Sequence, residues 1–221
     1  MTLTSIFRGE HPEPPPWLYA RMAQGSLMRL IYRLFVDDLA RALPPQTRLL
    51  DVGTGPGYLL GHLFQARPDL SLYGLDFSMD MIHRARPRQA ALAPQASVRW
   101  VVADACLLPF PENVFNHAVA TFSFHIWPCP ETGLGELKRV LKPGGMAWVY
   151  ELRREASIQD LQGFSRETKL PFPLVYLGFK IISRHHAVPA PEFAQALKQA
   201  VAAQGRLRPV HHIFWRAELE G

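Results

Sequence analysis

The stretch "LLDVGTGPGYLLGHL", residues 49–63, sets three glycines and a proline between two apolar runs, with an acidic residue at the entry. Gly53, Gly55 and Gly57 lack a Cβ, so the chain can turn there with positive φ and bring its backbone against a ligand before a helix begins. The spacing narrows the ligand. A dinucleotide fingerprint, G-x-G-x-x-G, would place its third glycine at position 58, where Tyr58 stands. The pattern is instead D-x-G-x-G-x-G from Asp51 to Gly57. A carboxylate at the loop entry tolerates a cation better than a diphosphate.

Outward from this loop, short apolar runs alternate with helix-length segments. "SLMRLIYRLFVDDLARAL" (26–43) carries Leu27, Leu30, Ile31, Leu34 and Leu39 at helical spacing and stops before Pro44-Pro45. Strands are expected at 47–52, 70–76, 97–104, 115–122 and 146–152, with helices at 57–67, 78–93 and 131–142. That order predicts a doubly wound α/β sheet, in which ligands bind at the carboxyl ends of the strands. Residues 153–189 read as an irregular insertion, 190–204 as a helix and 206–220 as a closing β-hairpin.

Composition sets wider bounds. A chain of 221 residues, 48% hydrophobic, can bury a sizeable core. The formal charge of +5, from 24 Lys and Arg against 19 Asp and Glu, is spread along the chain, and only "HRARPR" (83–88) clusters. This mild excess allows an anionic partner without arguing for one. Cys106 and Cys129 have no CxxC spacing and form no disulfide framework, which fits a reducing compartment. The opening "MTLTSIFRGEHPEPPP" has no apolar h-region, and no later segment reaches about 18 unbroken apolar residues. A soluble, cytoplasmic protein without a transmembrane segment is the expectation.

Four motifs in order, "LLDVGTGPG", "GLDFSMDMIHRA", "ADACLLPFPENVFNHAVA" and "LKRVLKPGG", resemble the class I S-adenosylmethionine-dependent methyltransferases, in particular the group of small-molecule and quinone methylases. The resemblance covers roughly residues 45–152 and implies a seven-stranded, mostly parallel sheet of the Rossmann-like methyltransferase fold with an antiparallel last strand. One methyltransferase domain over 1–221 is then expected: an N-terminal helical lid (1–44), a core that binds S-adenosylmethionine (45–152), a cap insertion after strand five (153–189), and a last helix with a terminal hairpin (190–221). The resemblance implies cofactor contacts from Asp51, Gly53, Gly55, Gly57, Asp76, Phe77, Asp104 and Ala105. Asp76 ends the second strand and offers two oxygens to the two ribose hydroxyls; Asp104 and Ala105 lie where the family receives the adenine. Asp80 reads as a first-turn acid of the following helix. One departure is visible: the family commonly reads Phe-Asp before the fourth strand, and this chain has Asn116 and His117 in "FNHAV".

Methyl transfer is a direct displacement at a sulfonium methyl, so alignment supplies much of the barrier lowering and a base activates the acceptor. After strand four, which in the family faces the methyl group, "TFSFHIWPCP" (121–130) places His125 among Phe122, Phe124 and Trp127. His125 is the candidate base; packing or hydrogen bonding without proton transfer is the alternative. Tyr19, with Trp17, and Phe172, Tyr176 and Phe179 from the oily segment 169–186 are candidate walls of the acceptor pocket, and a packed cap or a homodimer surface is the other reading of that segment. Its prolines and Gly178 read as breaks. The pairs His185-His186 and His211-His212 offer one metal ligand each at best, so no metal is expected. Function therefore reads as a methyltransferase acting on a small aromatic or lipophilic acceptor, with no nucleic-acid partner. The alternatives are an RNA or protein methyltransferase, which would lack its usual N-P-P-Y-like run, and a regulatory or scaffold subunit that binds S-adenosylmethionine without turnover.

Overall fold

Strands β1, β4 and β5 send alternate side chains into two separate apolar layers, and this sorting organises the molecule. The computed structural model describes residues 26–92, 94–95, 97–201 and 205–221. Tyr19, Trp17 and the rest of 1–25 lie outside the described residues. Helix α1 (Ser26–Ala42) leads into β1 (Arg48–Val52), α2 (Tyr58–Ala66), β2 (Ser71–Asp76), α3 (Met79–Leu92), β3 (Arg99–Val102), β4 (Phe115–Thr121), α4 (Pro130–Val140) and β5 (Leu141–Arg153). Then come α5 (Ile158–Thr168), α6 (Phe172–His186), the two-residue β6 (Ala187–Val188), α7 (Ala190–Val201), β7 (Gly205–Val210) and β8 (Phe214–Glu220). A 3-10 turn, Phe124–Ile126, follows β4.

The sheet order is β3-β2-β1-β4-β5-β8-β7, with β6 paired to β5 off this path. β1 to β6 pair in parallel, and β8 runs antiparallel to both β5 and β7. This is the expected doubly wound sheet with a terminal hairpin, plus one short extra strand. Leu49, Val119, Trp148 and Tyr150 enter one core layer with residues of α1, α2, α5 and α6. Their strand neighbours Leu50, Ala118, Ala120, Ala147 and Val149 enter the other with α4 and α7. Near-continuous apolar runs in β1 and β4 follow from burial on both faces.

Two local readings needed correction. The strand expected at 146–152 starts earlier, at Leu141, and takes in "KPGG" (142–145), where the pairing to β4 jumps from Phe115↔Leu141 to His117↔Met146. The extra residues bulge, with Gly144 at φ 76°. The segment 153–189 is helical where an irregular insertion was expected. Ser157 and Asp160 form a capping box that starts α5, and Lys169 closes it in the left-handed region. Pro171 and Pro173 sit at the start of α6, where a proline has no hydrogen bond to lose, so they begin the helix that they were read as breaking.

A polar clamp ties α1 to the hairpin. His211, in the β7–β8 turn, holds Glu167 of α5 through Nδ1 at 2.6 Å and Asp38 of α1 through Nε2 at 3.2 Å. Asp38 also accepts from the Tyr150 hydroxyl at 3.1 Å and faces Arg216 at 3.4 Å. Burial lowers the His211 pKa, but the hydrogen bonds and charges of Asp38 and Glu167 more than reverse this, so it stands above the ordinary imidazole value. A raised histidine stabilises fully below its unfolded value near pH 6.5 and loses that contribution as pH rises through the folded value. Asp38 is shifted down, because its partners outweigh the burial that raises it, and its share is lost only in acid near the ordinary carboxylate value. Urea unfolding should therefore show less stability at pH 8.5 than at pH 6, and His211→Gln should shrink this difference while costing about 1–2 kcal/mol at pH 6. An unchanged difference in the variant would show that the clamp does not carry it.

Candidate active site

The glycine loop leaves β1 at the carboxyl edge of the sheet. Gly53 turns at φ 72°, and a Cβ there would lie 2.3 Å from the Ser123 Cβ, because the exit of β4 crosses directly over it. Ser123 fixes that crossing by donating from its hydroxyl to the Val52 carbonyl at 3.0 Å. Gly57 turns at φ 76° against the Trp100 ring, which a Cβ would meet at 2.8 Å. The amides of Gly53 and Thr54 donate to the Leu75 carbonyl at 2.8 and 2.9 Å, tying the loop to β2. Arg88 clips it from α3, donating to the Pro56 carbonyl at 3.2 Å with its guanidinium 4.1 Å over the Tyr58 ring. Asp51 is fully buried and accepts from the Thr54 hydroxyl at 2.6 Å. Burial pushes its pKa up to about 7; the Thr54 hydrogen bond opposes this and the Asp76 charge adds to it.

Asp76 closes the opposite side. Its Oδ2 accepts from the Gly55 amide at 2.8 Å and its Oδ1 from the Ser78 amide at 2.9 Å. Asp104 follows β3 and turns the chain by accepting from the Cys106 amide at 2.8 Å. Here lies a cavity of about 530 Å³ whose lining includes Gly53, Gly55, Asp76, Phe77, Asp104 and Ala105 together with Phe122, Ser123, His125, Ile126, Trp127 and His186. Its size suits a cofactor-sized ligand. Among the described residues the lining includes two carboxylates and no Lys or Arg. That donor set fits a cationic nucleoside with ribose hydroxyls, and it would repel a diphosphate.

Beyond β4 the backbone is unusual. Phe122 holds φ 53°, and in the 3-10 turn after it Phe124 is buried while His125 lines the cavity. Phe124 is fully buried and stacks on Phe193 at 4.4 Å, so it packs the core where a substrate contact was expected. His125 faces Glu151 of β5. Its amide donates to Oε1 at 3.3 Å, and its Nδ1 lies 3.3 and 3.2 Å from Oε1 and Oε2. Its Nε2 is 3.0 Å from Nδ1 of His186, the last residue of α6.

The structure thus brings Gly53, Gly55, Asp76, Phe77, Asp104, Ala105, Phe122, His125 and Trp127 around one cavity. Asp51 and Gly57 shape the loop and do not line it. Phe172, Tyr176 and Phe179 do not line it either. Phe179 is buried in the core, Phe172 packs against that core, and Tyr176 lies on the outer face beside Lys180. The helix they occupy meets the cavity through His186 alone of its described side chains. Asn116, the departure noted in the sequence, accepts from the Arg48 amide at 3.1 Å, a contact between β4 and β1 at the edge away from the cavity. Glu151 and His186 were not among the expected site residues. A carboxylate inside the apolar run "MAWVYEL" was the available signal, because a charged residue is rarely buried without a partner. Among the described residues no group of three or more His, Cys, Asp or Glu could hold a metal ion.

Residues 49–145 match the family model described as a methyltransferase domain. The chain is 40% identical over 122 residues to the demethylmenaquinone methyltransferase of Thermus thermophilus, covering 55% of this chain and 54% of that protein. It is 35% identical over 112 residues to the 2-phytyl-1,4-naphtoquinone methyltransferase of Nostoc punctiforme, covering 49% and 48%. The chain thus matches about half the length of these relatives. Among solved structures, a SAM dependent methyltransferase from Aquifex aeolicus superposes with a TM-score of 0.67 at 20% identity, covering 94% of this chain and 98% of that one, a likeness of fold.

The crossing of β4 over the loop yields a direct test. Gly53→Ala should cost about 2–4 kcal/mol in urea unfolding, the sum of left-handed strain and a clash with Ser123. Gly144→Ala has a similar φ of 76° but nothing within 4 Å of the added Cβ, and should cost only about 1–2 kcal/mol. Equal costs for the two would remove the contact from the explanation.

Proposed function

Residues 49–145 match a methyltransferase-domain model, and from that likeness we propose that the chain transfers the methyl group of S-adenosylmethionine to a small, lipophilic, aromatic acceptor of the quinol kind. The observation that carries this reading is the cavity itself, whose lining combines two carboxylates and bare glycine backbone with Phe122, Ile126, Trp127 and two imidazoles. Asp76 would hold the ribose hydroxyls, Gly53 and Gly55 would admit the ligand against their backbone, and Asp104, Ala105 and Phe77 would surround the adenine. When bound, the cofactor supplies an electrophilic methyl on a sulfonium. The chain's own part is to align the acceptor opposite the sulfur, exclude water with the aromatic wall, and take up a proton at His125. The names of the two quinone-methylating relatives support a quinol acceptor, and the absence of any described helix long and apolar enough to cross a membrane is compatible with a small-molecule enzyme.

Calorimetry should show binding of both S-adenosylmethionine and S-adenosylhomocysteine, and Asp76→Ala should weaken both by roughly ten- to a few hundred-fold through loss of charge-assisted hydrogen bonds. With reductant present, methyl transfer to demethylated naphthoquinols of short side chain should exceed transfer to RNA or peptides. No binding by the unaltered chain would end the cofactor assignment. Binding with no transfer to any acceptor would favour a regulatory subunit, and preferred transfer to RNA or peptide would end the quinol assignment.

A further inference from the structure

We propose that α6 docks flat on an anionic lipid bilayer, with Leu174, Leu177 and Ile181 entering the acyl boundary and Lys180 and Arg184 resting on the headgroups. Docking needs no turnover. Its use, taking a lipophilic acceptor from the membrane, rests on the methyl-transfer reading and extends it.

The helix carries two apolar faces where packing accounts for one. Val175 and Phe179 are buried in the core. At about 100° per residue, Leu174, Leu177 and Ile181 project from the opposite side, and they are 62%, 59% and 60% exposed. Among the described residues nine large apolar side chains are exposed, and four of them, Leu174, Tyr176, Leu177 and Ile181, sit on α6. Exposed apolar surface is thus gathered on one helix, and a gathered patch marks a contact surface where scattered residues would not.

Charge identifies the partner. No Asp or Glu occurs between Lys169 and His186. Lys169, Lys180 and Arg184 are exposed, and the last two follow Leu177 by three and seven residues, which puts them on the same outer face. Glu167, the acid before them in the chain, is held by His211 at 2.6 Å. Lysine and arginine can lay their stems along apolar surface while the charged head reaches phosphate. An apolar stripe edged by cations and free of acids is the pattern of a helix that lies in a bilayer interface. The 15 residues of α6 span about 22 Å, short of the roughly 30 Å of hydrocarbon, so the helix lies on the membrane and does not cross it.

A second copy of the chain fits this face less well. A two-fold contact through it would set Lys180 and Arg184 against the same two cations, with no acid on the helix to pair them. Anionic headgroups complement those cations, and the layer beneath admits the leucines. Residues 1–25 join the chain beside α6, because Leu27 lies 3.8 Å from where a Cβ on Gly178 would stand; their lying over the face is the competing outcome. The carboxyl end of α6 is His186, which lines the cavity. A docked α6 therefore brings the cavity within one helix length of the lipid.

Vesicle sedimentation tests the docking. Vesicles of about one part phosphatidylglycerol to two of phosphatidylcholine should carry the unaltered chain down, and phosphatidylcholine alone should do so far more weakly. Lys180→Ser with Arg184→Ser should cut binding to the anionic vesicles roughly thirty-fold, at about fivefold for each cation. Leu177→Glu with Ile181→Glu should cut it at least about tenfold and leave the urea midpoint in place, because both side chains are exposed. Absence of binding by the unaltered chain, as cover by residues 1–25 would produce, overturns the proposal, and so does binding that the double glutamate variant keeps in full. A dimer in sedimentation velocity that this variant dissociates would give the face to a second copy and overturn it too. In turnover, the same variant should raise KM about tenfold for a long-chain naphthoquinol held in anionic vesicles and leave a short-chain one in solution unaffected. An unchanged KM in vesicles would overturn the supply of acceptor from the membrane. Failure of the methyl-transfer reading would appear separately, as no turnover of either quinol with vesicle binding intact.

Discussion

Two backbone amides converge on the Asp76 carboxylate, Gly55's from the loop after β1 and Ser78's from the turn into α3. This convergence is the constraint on which the cavity depends. Without it, the loop after β1 and the helix start after β2 would have separate positions at the sheet edge. With it, they are registered to within a hydrogen bond, and the carboxylate that registers them also lines the cavity. Parallel pairing of β1 to β2 and β4 supplies the rest, since each strand delivers its exit loop to the same edge. Gly53 lets the β4 exit cross that edge at contact distance, so both halves of the cavity share one short stretch of backbone.

Much of this was legible because its signals are local. The glycine loop, the acid ending β2 and the strand–helix alternation each occupy a few consecutive residues, and the structure places them close to where the pattern puts them. What escaped the sequence is non-local. His125 depends on Glu151, 26 residues on, and His186, 61 residues on. Neither spacing has a periodicity to reveal it; only the parallel pairing of β5 with β4 and β6 creates the contact. The prolines of 171–173 misled for a different reason. A proline breaks a helix interior but favours its first turn, and sequence alone does not say which of the two a given proline occupies. Phe124 shows the same limit at smaller scale, because a 3-10 turn decides which of two adjacent rings meets the core.

The basic surplus has an internal use that composition could not show. Arg67 donates to the carbonyls of Ala40, Leu43 and Pro44 while pairing with Asp69, and so closes the end of α1 onto the loop before β2. Arg139 does the same for the carbonyls of Leu108 and Phe110 beside Glu136. Arg88 serves the glycine loop. Arginine suits this work because its planar fork reaches several acceptors at once. These three arginines act as clips between loops and helices, away from a cavity whose described lining holds two carboxylates and no Lys or Arg.

Asp51 carries a consequence for how such a cavity senses charge. Its carboxyl is fully buried, sits beneath the glycine loop, and ionises only around neutrality, at about pH 7. A cation entering above it would favour the ionised form, so binding would release a proton from a residue that does not line the cavity. Affinity for a positively charged ligand would then rise with pH across the neutral range, whereas a neutral ligand of the same shape would gain nothing. A carboxyl so placed would favour a charged ligand over a neutral one of the same shape, and would do so through a proton and not through contact.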